Sequence, residues 1–297
     1  MKRRLVSVPL LAALLFGCAG QSTPQNTETV PPEPEGTPIV EAVPLQTPVD
    51  ITVDAATPTP HTPPPPPTPT PSPTPEPPLY GITIGIDPGH QACPNFGTEP
   101  VAPDSDEQKV KCSSGTIGIA SDVPEYQVNL DVALKLAALL EADGATVILT
   151  RTVNDVNLSN RERAEIMNEH EVDLAIRLHC NGADDTGIRG AFMLVPTREH
   201  TQSFAENVRA AQEVIDAYCA ATGLGLRKNA AILYRDDQTG FNWCKRPIIC
   251  IEMGHLSNET EDLLLTSDTF QDKMAFGIYA GILAYFDPES TAEGGNP

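Results

Sequence analysis

Basic residues are scarce in this chain. Only 19 Lys and Arg stand against 40 Asp and Glu, a formal net charge of −21 at pH 7. Losing Lys2, Arg3 and Arg4 with a cleaved leader would take the remainder to −24. A field of that sign excludes nucleic acid, and adsorption to other anionic polymers, as charge-driven partnerships. No Cys-x-x-Cys pair occurs among the seven cysteines, which argues against a cysteine-held zinc cluster. No apolar run is long enough to span a bilayer: the stretch Val6–Phe16 has the length of a signal-peptide core. No internal repeat is present. Between residues 19 and 78 there is no Lys or Arg at all, while 20 of the 60 positions are Pro and seven are acidic. Such a segment has too little apolar surface to offset the entropy of ordering.

These absences divide the chain. Residues 1–17 read as a signal peptide: a basic start, an apolar core, then "LLFGC". Leu15, Gly17 and Cys18 resemble a bacterial lipobox, although Phe16 is bulky for its place. Cys18 is the expected lipidation site, and the two chains of a diacylglycerol suffice for stable anchoring. Simple secretion is the alternative. Residues 19–78 form a Pro/Thr-rich tether, polyproline II or disordered. At about 3.1 Å per residue it reaches up to roughly 180 Å. Residues 79–287 have the size of one domain with a full core, and 288–297 read as a frayed tail. An exported location permits disulfides, with Cys93 and Cys112, which flank one loop, as the preferred pair.

Within the domain, strand and helix patterns alternate. Ile82–Ile86, "ATVILT", "VDLAIRLH", "GAFMLV", "AAILY" and "PIICIE" read as strands. "EYQVNLDVALKLAALLEADG" is a helix with Val128, Val132, Leu136 and Leu139 on one face, and Gly144 is placed to end it. "LSNRERAEIMNEH", "SFAENVRAAQEVIDAYCAAT" and the stretch from Thr260 to Phe286 are also helical. The expected fold is α/β: a mainly parallel sheet with helices on both faces, in a single catalytic domain.

Ligands of such sheets sit beyond the carboxyl ends of the strands. Three apolar strands here run directly into ionisable groups: His90, His179 and Glu252. Asp87 is placed to hydrogen-bond the His90 imidazole or nearby backbone. Asp122 and Glu125 have the spacing of a capping box, which alone would account for Glu125. The same position also suits a carboxylate ligand. Two histidines and one carboxylate form a known catalytic zinc set with an open fourth position. Glu252, at the end of a buried strand, suits the general base and proton shuttle. His255 reads as a further ligand, a donor or a loop histidine. Arg161 reads as a carboxylate binder or a salt-bridge partner, and Trp243 as a groove wall or local packing.

"IDPGHQ", "PEYQVNLDVALKLAALLEADGATVILTR", "RLHCNGA" and "PIICIEMGHLSN" together resemble the zinc-dependent N-acetylmuramoyl-L-alanine amidases, in that order and spacing, from about Gly81 to Phe286. The resemblance implies one zinc ion held by His90, Glu125 and His179, with Glu252 catalytic. The implied substrate is peptidoglycan, cut between muramic acid and L-alanine. It also marks Asn181, Arg227 and His255 as candidate substrate contacts. There are departures: His255 stands where the family commonly has Phe, and Lys228 where it often has Gly. The stretch from Gln91 to Ser121 is long. A wall-peptide carboxypeptidase and a catalytically silent wall-binding lipoprotein are the rival readings; the presence of Glu252 argues against the second. The expected location is the outer face of the plasma membrane, lipid-anchored within the cell wall. The sequence names no activating protein partner.

Overall fold

In a computed structural model, residues 76–228 and 231–287 are described. The leader, Cys18, the tether up to residue 75 and the tail from 288 lie outside them.

The sheet carries the site. β1 (Thr83–Pro88), β4 (Thr146–Leu149), β5 (Leu174–Asn181), β6 (Phe192–Pro196), β7 (Ile232–Arg235) and β8 (Ile248–His255) form six strands in the order β4-β1-β5-β8-β6-β7. All neighbouring pairs are parallel except β6 with β8. The central strands are buried on both faces, as a parallel sheet requires: Ile84, Ile86, Leu174, Ile176, Ile249 and Ile251 expose nothing.

One face is covered by α1 (Glu125–Ala142), α3 (Phe204–Thr222) and α6 (Asp268–Phe286), whose apolar stripes join the larger core cluster. The stripe of α1 is Val128, Val132, Leu136 and Leu140; Leu139 is only partly buried. The helix stops at Asp143, followed by Gly144 at φ +88°. The other face is covered by α2 (Asn160–Glu169) and the single turn α4 (Thr239–Asn242), around Met167, Phe192 and Phe241. The fold is therefore the expected α/β sheet, mostly parallel, with helices on both sides. The long final helix is divided: α5 (Glu259–Leu265) is capped by Asn258, whose side chain accepts from the Glu261 N–H, and α6 starts anew after Ser267.

The long stretch after β1 contains a two-stranded antiparallel hairpin, β2 (Asn95–Pro100) and β3 (Gln108–Cys112). Three contacts pin it to the domain. Trp243 Nε1 donates to the Pro100 carbonyl (2.9 Å), Asn160 Nδ2 to the Lys111 carbonyl (2.9 Å), and the Arg161 N–H to Glu99 Oε1 (3.1 Å). Cys93 is exposed before β2 and Cys112 is buried at the end of β3; no S–S bond joins them here. No described helix is long and apolar enough to cross a membrane.

Candidate metal centre and cleft

The carboxyl ends of β1, β5 and β8 are adjacent in the sheet, so His90, His179 and Glu252 arrive side by side. His179 lies opposite Glu252 in the β5–β8 register. The peptide after β1 turns sharply. The Gly89 N–H donates to the Leu178 carbonyl (2.9 Å), and His90 adopts φ +59°, a left-handed conformation rare for a side-chain-bearing residue. Gly89 must be glycine here, because a Cβ would overlap the His179 ring.

Glu125 opens α1 from the other side. It is no capping residue: Pro124 is the N-cap and carries no side-chain cap bond. The capping-box reading of Asp122 and Glu125 is thus overturned. The motif occurs instead at Ser159 and Glu162, which start α2. The Glu125 carboxylate is 3% exposed and turned into the sheet. It accepts from the Thr116 N–H (2.9 Å), the Cys180 N–H (3.1 Å) and Asn129 Nδ2 (3.3 Å). Its Oε1 also lies 3.3 Å from His90 Nε2 and 3.1 Å from His179 Nδ1. Gly115, at φ +73°, closes this corner; a Cβ there would come within 2.7 Å of Glu125 Oε2.

The donor set fits a divalent metal. One atom from each of His90, Glu125 and His179 can be chosen so that all lie within 4.8 Å of one another. His90 Nδ1 faces the Ser113 carbonyl at 3.0 Å, which orients the ring and leaves Nε2 for a ligand role. Proton placement shows the same demand for a cation. Burial opposes charge on His90, but the adjacent Glu125 carboxylate raises its pKa to about 10. Burial would raise that of Glu125, but the two imidazoles hold it well below the usual carboxylate range. Burial, aided by the His90 charge, pushes His179 down to about 4. Without metal, a single proton on His90 serves as counter-ion to Glu125.

Glu252 stands apart from this set. Its Oε2 is shut off from solvent with no hydrogen-bond partner. Burial, reinforced by the Glu125 charge, pushes its pKa up to about 8. Such a carboxyl exchanges a proton near neutrality. Arg227, stacked over Phe192 at 4.9 Å, adds a positive charge that favours the ionised form.

These residues floor an open cleft of about 650 Å³, walled by Thr116, Asn181, Ala183 and Ser257. A second arm of about 340 Å³ continues past His90 and His179 between Val110 of the hairpin and Gln238. Not every candidate reaches it. His255 is fully buried and lines neither arm. Arg161 is bound to Glu165 (2.7 Å) and stacked on Trp243 (4.0 Å), so the salt-bridge reading holds. Trp243 anchors the hairpin.

Asp87 does not touch the His90 ring. It accepts from Thr150 Oγ1 (2.7 Å), Arg163 Nη1 (2.7 Å) and Arg177 Nε (2.9 Å), all buried. Its influence on His90 is indirect. Arg163 donates to the Pro88 and His90 carbonyls (2.8 and 3.0 Å), and Arg151 to those of Pro88 and Gly89 (2.9 and 3.1 Å). Two guanidinium groups thus hold three consecutive carbonyls and fix the left-handed turn that presents His90. No sequence pattern marked these arginines; a buried cation is legible only once its partners are placed.

Residues 84–284 match the family model described as N-acetylmuramoyl-L-alanine amidase. The chain is 29% identical over 225 residues to the germination-specific N-acetylmuramoyl-L-alanine amidase of Bacillus subtilis, covering 70% of this chain and 81% of that one. It is 28% identical over 211 residues to the N-acetylmuramoyl-L-alanine amidase LytC of the same organism. That match again covers 70% of this chain but spans only 36% of LytC. Among solved structures, the apo N-acetylmuramyl-L-alanine amidase Ami1 of Mycobacterium abscessus shares the fold, with TM-score 0.65 and 24% identity over 70% of this chain and 99% of that one.

Proposed function

Because this chain belongs to the N-acetylmuramoyl-L-alanine amidase family, we propose that it hydrolyses the amide bond between N-acetylmuramic acid and L-alanine in peptidoglycan. His90, Glu125 and His179 hold one zinc ion, and Glu252 carries the proton. The observation behind this reading is the pairing of a compact His-Glu-His donor set with a separate carboxyl whose pKa is raised to about 8. Zinc at that set supplies Lewis acidity to a carbonyl oxygen and to water.

The chain's own groups do the rest. The open cleft leaves room for substrate beside the donor set. Glu252 takes a proton from the attacking water and returns it to the departing alanine nitrogen. The Thr116 and Cys180 N–H groups aim the Glu125 carboxylate, and Ser113 fixes the His90 ring. The buried arginine pair holds the His90 backbone, so the ligands are set before substrate arrives.

Cys18 lipidation and the tether of residues 19–78 belong to the same proposal. They would place the domain outside the plasma membrane at wall depth, exported and membrane-anchored. The division at residue 79 is supported by Leu79, which is fully buried. A Cys93–Cys112 bridge would tie the hairpin base in an oxidising compartment.

Digesting purified peptidoglycan with the full chain tests the cleaved bond. New N-terminal alanine, absent with chelator and without new reducing sugar ends, is the expected product. Free C-terminal amino acids would instead identify a carboxypeptidase, and no product from zinc-loaded protein would point to a missing activator or a silent binding module. For the ligands, His179→Ala after zinc saturation and desalting is expected to hold far less than one zinc per chain by atomic absorption. Stoichiometric zinc in that variant would contradict the assignment.

A further inference from the structure

His255 occupies an unusual place for a histidine. It ends β8, three residues beyond Glu252, and exposes nothing to solvent. Its ring lies 6.0 Å from that of Phe192, in a pocket that would suit an aromatic hydrocarbon. Instead it is framed by polar groups on both sides.

On one side is Glu261, itself 3% exposed. Its Oε1 accepts from the Gly190 N–H (2.7 Å), and its Oε2 from the His255 N–H (2.8 Å). The His255 Nδ1 lies 3.6 Å from that same Oε2. On the other side, His255 Nε2 is 3.3 Å from Asn181 Nδ2. Asn181 is paired with His255 in the β5–β8 register, just past an irregularity that follows His179 and Glu252.

Donor logic orients the whole chain of groups. Asn181 Oδ1 lies 2.8 Å from the Gly182 N–H. A backbone N–H can only donate, so that oxygen is fixed and the amide cannot be flipped. Nδ2 must then face His255, and an amide nitrogen can only donate. His255 Nε2 is therefore the acceptor, and the ring proton sits on Nδ1, which is buried with no hydrogen-bond partner among the described residues, 3.6 Å from Glu261 Oε2. One Nδ2 hydrogen goes to the imidazole. The other meets no acceptor among the described residues and belongs to a residue that lines the cleft with His179 and Glu252.

We propose that Glu261 and His255 are positioning residues that aim the Asn181 amide into the cleft as a hydrogen-bond donor to a substrate carbonyl oxygen. The proposal rests on the amidase reading for the identity of the substrate. Phe at position 255 would fill the pocket but accept no bond, and the amide would lose its orientation. Filling space alone does not require the Nδ1-H tautomer.

Two measurements test it, both on the zinc-loaded full chain. The first is the ¹⁵N spectrum of the His255 ring, assigned by its loss in His255→Phe. A neutral ring protonated on Nδ1, with Nε2 bare, is expected; the Nε2-H tautomer or a doubly protonated ring would overturn the relay. This needs no substrate, so it stands apart from any failure of the amidase reading. The second is a double-mutant cycle on release of N-terminal alanine. Asn181→Ala and His255→Phe are each expected to lower kcat/KM about tenfold or more, chiefly in kcat, with zinc content kept. Together they should lose little more than the worse single variant. His255→Gln, whose side-chain oxygen can accept, should recover part of the loss. Additive losses, or an unimpaired His255→Phe, would overturn the proposal.

Discussion

Glu252→Gln is expected to lower turnover by roughly 10²–10⁴-fold, the usual worth of a positioned proton carrier, while zinc remains bound at about one per chain. The same substitution should make the metal-free domain more stable. In the folded domain burial raises the Glu252 pKa from 4.5 to about 8. Between those values the folded carboxyl keeps a proton that the unfolded chain has released. Stability therefore falls as pH rises through that window, and the penalty is complete above about pH 8. Gln carries no such penalty. The difference amounts to a few kcal/mol, or about 5–10 °C in Tm for a domain of this size. Thermal melts of chelated wild type and variant should coincide near pH 4.5 and diverge toward pH 8. Parallel curves would show that the carboxyl is not held protonated. On the proposed function, the domain tolerates an unfavourable group at its floor because that group moves the proton.

Asp87→Asn is expected to be the most damaging single substitution among the described residues outside the cleft. The side chain keeps its size and loses its charge. Arg163 and Arg177, 2% and 5% exposed, would then share a buried space with Arg151 and no anion beside them. Burial, compounded by the Arg163 charge, already lowers the Arg151 pKa to about 10. Removing one partner of a buried charge pair costs about 3–5 kcal/mol, and urea denaturation should show a loss in that range. Zinc affinity should fall as well, because Arg163 holds the His90 carbonyl. A loss below about 1 kcal/mol would mean that water or another group compensates the arginines.

The sheet strands were legible because each is a short apolar run stopped by a turn or an ionisable group, as in "PIICIE". The grouping of His90, Glu125 and His179 was legible through the motifs that surround them. What was not legible depends on distant partners. The reversed direction of β6 does not follow from "GAFMLV", since a strand buried on both faces reads alike in either direction. The break between α5 and α6 hung on Ser267, a weak signal within an otherwise helical run. Asp87 looked like a neighbour of the His90 ring because it precedes it by three residues. Its real partners are 63, 76 and 90 residues away. The capping-box spacing at Asp122 and Glu125 was misleading for the opposite reason: a local pattern was present, but the carboxylate had stronger partners across the fold.

The hairpin between His90 and Glu125 has a different status from the rest of the domain. Both ends of that connection are fixed independently, His90 by the arginines and Glu125 by backbone donors. Cys112, Ser113, Gly115 and Thr116 lean on His90 and Glu125 from within it. The intervening residues 93–112 form their own small ladder and rest against Trp243 and α2. Because the cost of closing a loop rises only slowly with length, a change in the length of its turn between β2 and β3 is expected to cost the sheet little stability. The hairpin is a rim module built separately from the sheet, and it meets the centre only through its second strand and the residues just after it.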